Sequence, residues 1–73
     1  RISLLQFDRP LIKDLSLTDS FVIYICTESM AVIDTPGHTE EVKAGETIMI
    51  PATADSVTLI PQGRATLLEV SIP

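Results

Sequence analysis

Gly45-Glu46-Thr47-Ile48-Met49-Ile50-Pro51 is the stretch around which the rest of the chain can be ordered. The glycine permits a tight turn, four strand residues follow, and proline ends the pairing because it has no amide hydrogen to give. Just before it, His38 to Lys43 reads as a polar strand with Val42 as its main apolar anchor. Thr35-Pro36-Gly37 is a turn, Pro36 presetting φ and Gly37 being free to take φ > 0. Met30 to Asp34 and His38 to Lys43 therefore form a hairpin whose outer face is wet.

Moving outward, the periodicity stays near two, which predicts strands. Ile2 to Phe7 is the first, broken by Arg9-Pro10. Leu11 to Leu17 alternates, with Lys13 on the same face as Leu11, Leu15 and Leu17. Thr18-Asp19-Ser20 is a turn cluster. Phe21 to Cys26 is apolar on both faces and rich in β-branched and aromatic residues, the mark of a strand covered on both sides. Thr27-Glu28-Ser29 interrupts it. Past Pro51, Ser56 to Ile60 is a strand, Pro61-Gln62-Gly63-Arg64 a turn, and Ala65 to Ile72 the last strand. About eight short strands result, at the spacing of a sandwich or barrel. No window carries helical periodicity over three turns, and no repeat is present.

A chain of 73 residues with 45% hydrophobic residues is one domain, residues 1–73, and too apolar for disorder. Ten acids against five bases give a net charge of −5. The bases are scattered, which argues against nucleic acid and against an anionic membrane surface. The longest apolar run, Phe21 to Cys26, is far short of a membrane helix, and no signal peptide is recognisable. The expected location is cytoplasmic. Cys26 is the single cysteine, so no intrachain disulfide can form. Opening on Arg1 and entering apolar sequence at once suggests the C-terminal part of a longer chain, or a lost start.

The run from Val42-Lys43-Ala44-Gly45-Glu46 to Pro51, behind a polar hairpin, resembles the second half of the cupin motif. Phe21 to Glu28, Glu41 to Ala52, Val57 to Pro61 and Ala65 to Val70 narrow this. In order and spacing they are similar to the C-terminal domain of bacterial type I mannose-6-phosphate isomerases. The resemblance runs from Ser20 to the end. It implies an all-β fold, a small cupin-type jelly-roll barrel of about eight short antiparallel strands. It also implies a parent enzyme that interconverts mannose 6-phosphate and fructose 6-phosphate. The zinc of that family, and the Gln, Glu and two His that hold it, belong to an upstream catalytic domain, the implied partner of this one. None of those motifs is present here, so the resemblance assigns no catalytic, cofactor-binding or metal-binding residue to this chain. Metal-binding cupins place a His-x-His on one strand and a later histidine where this chain has Ser56. Where the family favours a glycine-rich turn, this chain has Glu28-Ser29-Met30-Ala31.

The bland reading is favoured for each single residue. His38 is the only histidine; with Glu40 and Glu41 it falls short of a zinc ligand set, and it reads as a surface residue. Cys26 reads as a buried, inert thiol with no base nearby. Glu69 either faces solvent between Leu68 and Val70 or pairs with a base such as Arg64, itself expected in water. Tyr24 reads as core, with a hydroxyl that needs a partner if it points into the barrel mouth. Phe21, Ile23, Ile25, Ile48, Ile50, Leu59, Leu68 and Val70 are expected to form most of the core. Function is expected to be that of a non-catalytic C-terminal domain. A stand-alone metal-free cupin, acting as a binding or dimerisation module, is the alternative. As a domain cut from a two-domain enzyme, the isolated chain is expected to self-associate or to be only weakly stable, because it exposes the apolar patch that faced its partner.

Overall fold

A computed structural model describes residues 1–16 and 20–71. Leu17 and Ile72, the expected ends of two strands, lie outside the described residues. Six antiparallel strands are formed among them: β1 (Ile2–Phe7), β2 (Leu11–Asp14), β3 (Val22–Thr35), β4 (His38–Lys43), β5 (Thr47–Ile50) and β6 (Ser56–Ser71). No helix among them is long and apolar enough to cross a membrane.

The difference from eight expected strands has a physical cause. β3 joins the segments on either side of Thr27-Glu28-Ser29, and β6 joins those on either side of Pro61-Gln62-Gly63-Arg64. The latter is therefore not a free turn: Met30 pairs with Gln62 and Ala31 with Pro61. β3 and β6 run together as one long ribbon, and register shifts between Cys26, Glu28 and Met30 absorb its bend. One end of the ribbon is flanked by β1 and β5, the other by β2 and β4. Two four-stranded halves result, β1-β6-β3-β5 and β2-β6-β3-β4, and their inner faces share one core. This is the jelly-roll arrangement.

The bend is clamped by the Gly45 turn. Gly45 takes φ +91° and donates its N–H to the Cys26 carbonyl at 2.8 Å. The Cys26 N–H donates to the Glu46 carbonyl at 3.0 Å, and the Ala44 N–H to the Ser29 carbonyl at 3.0 Å. The Glu46 carboxylate accepts the Lys43 N–H at 2.7 Å. A Cβ on Gly45 would meet nothing within 4 Å, so it is the backbone conformation, not space, that asks for glycine.

Ser29 holds the same left-handed conformation, at φ 63°, without being glycine. Its hydroxyl donates to the Gln62 carbonyl at 2.8 Å across the ribbon. A β-branched residue is strained in this region. We expect Ser29→Val to cost about 2 kcal/mol, and Ser29→Gly to change stability by less than about 1 kcal/mol, relieved strain offsetting a lost hydrogen bond. Urea melts of the two variants check this; equal costs would show that the backbone is not the cause.

The core contains Ile48, Ile50 and Leu59, as expected, with Val22, Tyr24, Cys26, Ala31, Ile33, Val42, Val57 and Leu67 among its other members. Phe21, Ile23, Ile25, Leu68 and Val70 are corrections: they are half-buried and lie outside the core cluster. Pairing decides it. Tyr24 lies opposite Ile48 and Val22 opposite Ile50, so β3 turns its even-numbered residues inward along this stretch. A strand apolar on both faces leaves that choice open, and one residue of slip exchanges the faces.

Candidate functional site

At one end of the barrel, three inward-facing polar residues meet. Lys13 comes from β2, where Lys13 opposite Val57 places it on the inner face beside Leu11 and Leu15. Glu69 lies opposite Tyr24, and both point inward because Leu67 and Val22 do. The Tyr24 hydroxyl donates to Glu69 Oε2 at 2.7 Å. Lys13 Nζ stands 3.5 Å from Glu69 Oε1, linking the two halves of the barrel. Tyr24 is fully buried, while the Glu69 side chain is 14% exposed and that of Lys13 30%. Burial, and then the Glu69 carboxylate, push the Tyr24 phenol well above its ordinary pKa, so it stays a neutral donor. Beside this linkage lies a cavity of about 300 Å³, bounded by Lys13, Asp14 and Leu15 on one side and Ser3, Val22 and Ser71 on the other.

Glu69 thus does not face solvent but pairs with a base, as one of the two expectations had it; the base is Lys13 and not Arg64, which is exposed. The missed signal was parity. Lys13 and Glu69 are opposite charges that each occupy the inward phase of an apolar strand, and each satisfies the other. Sequence alone does not bring β2 beside β6.

A second cavity, about 540 Å³, opens between the β3-β4 hairpin and β5. Ile48 and Ile50 face it from one side, His38 and Glu40 from the other. His38 Nε2 lies 3.2 Å from Glu40 Oε1, and both side chains are largely in water. His38 is the surface residue expected of it, and Glu41 does not join it. Among the described residues no three His, Cys, Asp or Glu side chains gather into a group able to hold a metal ion. Ser56, where a metal-binding cupin has its later histidine, is half-buried opposite Asp14.

Cys26 is buried, and its thiol lies 3.4 Å from the Ser29 carbonyl. Burial raises its pKa, which keeps it protonated and unreactive. No buried side-chain nitrogen or oxygen among the described residues lacks a hydrogen-bond partner.

No family model matches the sequence, and no curated protein matches it. Solved structures do match the fold. A cupin-2 domain-containing protein of Shewanella frigidimarina superposes with a TM-score of 0.77 at 14% identity, over 93% of this chain and 65% of that one. A cupin superfamily protein of Desulfitobacterium hafniense gives 0.79 at 19% identity, over 97% and 64%. The EutQ protein of Clostridium difficile gives 0.77 at 15% identity, over 99% and 55%. The chain spans less than two thirds of the length of each of these proteins. Its two bent four-stranded halves around one core, with the Gly45 turn clamping the bend, are the fold of a small cupin jelly roll.

Proposed function

We propose that the chain is a non-catalytic cupin domain, the C-terminal domain of a mannose-6-phosphate isomerase. The observation that carries this reading is the Lys13–Glu69–Tyr24 linkage at the barrel end. A carboxylate that could bind a cation or move a proton is already held by an ammonium group and a phenol. The ammonium group would also repel a divalent cation. The second cavity is lined by a single imidazole, His38, and by the carboxylates of Glu40 and Asp55, but among the described residues no three such side chains gather into a group able to hold a metal ion, and a catalytic zinc needs three protein ligands. Zinc and the isomerisation would then belong to an upstream catalytic barrel, against which this domain packs.

The expected result is that the isolated chain retains no stoichiometric zinc after dialysis and gives no turnover in a coupled assay with mannose 6-phosphate. Zinc at one equivalent together with turnover would overturn the reading. The same interior suits a stand-alone metal-free binding or dimerisation module. The native reading frame separates the two: a His- and Glu-bearing barrel encoded upstream supports the isomerase domain, and a frame of this length alone supports the module.

A further inference from the structure

β4 and β5 each pair with β3 and with no other strand among the described residues, so the two halves of the barrel part between their free edges. The cavity of about 540 Å³ opens there. One wall is apolar: Ile48 and Ile50 are 8% and 3% exposed, and Pro51 continues their line. The opposite wall is polar, because His38 and Glu40 share the phase of Val42 on β4 but lie beyond the end of the core. Asp55, in the loop after β5, adds a second carboxylate. No lysine or arginine lines the cavity. Its volume lies within the roughly 300–1,000 Å³ of small-molecule sites, which also combine an apolar wall with a few polar groups. Neither Lys13 nor Ser56 lines it, so it is separate from the ion pair at the barrel end and from the position of a metal-binding cupin's later histidine.

We infer that this cavity is a binding site for a small organic cation, with one ammonium group on a compact apolar body. Charge selects the sign. The chain carries a net charge of −5, and a cleft lined by two carboxylates and no strong base concentrates that field where the ligand sits. An anion is repelled from the same place. The spread of the polar groups selects an organic cation over a metal ion. Glu40 and Asp55 do not gather with a third ligand, so a bare divalent ion would keep too few protein contacts. An ammonium group needs only one or two acceptors, and the body attached to it takes the Ile48 and Ile50 side of the cavity out of water. A neutral apolar molecule could use that wall as well, but it would gain nothing from the carboxylates. The inference rests neither on the isomerase reading nor on that of a stand-alone module, since neither gives this cavity a ligand.

Three probes of similar shape and different charge test it: 2-phenylethylamine, 2-phenylethanol and 3-phenylpropionate. Each is titrated into the full 73-residue chain at neutral pH and constant ionic strength, and binding is followed by the shifts of backbone amide resonances. The amine is expected to give saturable shifts at Ile48, Ile50, Asp55 and the Gly37–Glu40 segment. It should bind at least about threefold more tightly than the alcohol, while the carboxylate should not saturate. Glu40→Gln and Asp55→Asn are each expected to weaken the amine about twofold to fivefold, and added salt should weaken it too. Asp8→Asn removes the same charge from an exposed position outside the cavity and is expected to leave the affinity unchanged. The same spectra show that each variant is folded. Equal binding of all three probes would overturn the inference, and so would an amine that never saturates. Binding that Asp8→Asn weakens as much as Glu40→Gln and Asp55→Asn would reduce it to the net charge of the chain and overturn it as well.

Discussion

Leu67→Ala is expected to cost about 2–5 kcal/mol, and Leu68→Ala, one residue away, less than about 1.5 kcal/mol. Leu67 is fully buried, opposite Cys26 on one side and Leu5 on the other. Its loss leaves a cavity where the two halves share their core. Leu68 points to the outer face, opposite Leu4 and Ile25, where water can fill the space. A chain of this size has a total stability on the order of 4–11 kcal/mol, so Leu67→Ala brings it close to unfolding. Urea denaturation of both variants at high dilution, where self-association does not contribute, reads the difference. The reverse order would mean that the inner and outer faces of β6 have been exchanged.

That pair of residues also marks where the sequence stops being informative. The turns were legible because glycine and proline have few backbone choices: Pro36-Gly37 closes the β3-β4 hairpin, and Gly45 sits in the turn before β5. β1, β4 and β5 begin and end at the expected residues for the same reason. Strands with one apolar face and one polar face, such as β4 with Val42 inward, were legible in orientation too. Phe21 to Cys26 and Leu67-Leu68 were not, because burying either face removes similar apolar area from water. Partners far along the chain decide between them. The bend was misread as two breaks because Thr27-Glu28-Ser29 and Pro61 to Arg64 look like turns locally, and only their mutual pairing shows a continuous ribbon. Of the candidate site, His38 and Cys26 were read as they stand. For Glu69 the sequence left solvent and pairing with a base both open; pairing holds, but with Lys13, which only the placing of β2 beside β6 brings within reach.

Glu69→Ala should be the most damaging polar substitution, at about 2–4 kcal/mol, because it strands a buried phenol and a partly buried ammonium together. Tyr24→Phe should cost only about 1 kcal/mol, since Glu69 keeps Lys13. The double variant should cost less than the sum of the two, the excess measuring their coupling. Tyr24 also gives stability a pH dependence. Unfolded tyrosine loses its proton near pH 10, about where free tyrosine titrates, while the folded phenol holds it to higher pH. Above that point the unfolded chain binds fewer protons than the folded one, so stability falls as pH rises. Below it the contribution is fully present. Denaturation from neutral to strongly alkaline pH should show this decline in the wild type and a shallower one in Tyr24→Phe. Equal slopes would assign the alkaline loss to other groups.

The ribbon shared by both halves has a kinetic consequence. Val22 must find Ser71 and Asp34 must find Thr58 before either half has its central strands. Each of these contacts closes a long loop, whose entropy is lost before the apolar core compensates for it. The β3-β4 hairpin is the one pairing within easy reach of its own neighbours, so it is a natural place for folding to begin. Neither half can complete itself alone, and so the chain should fold slowly for its length, in a single cooperative step.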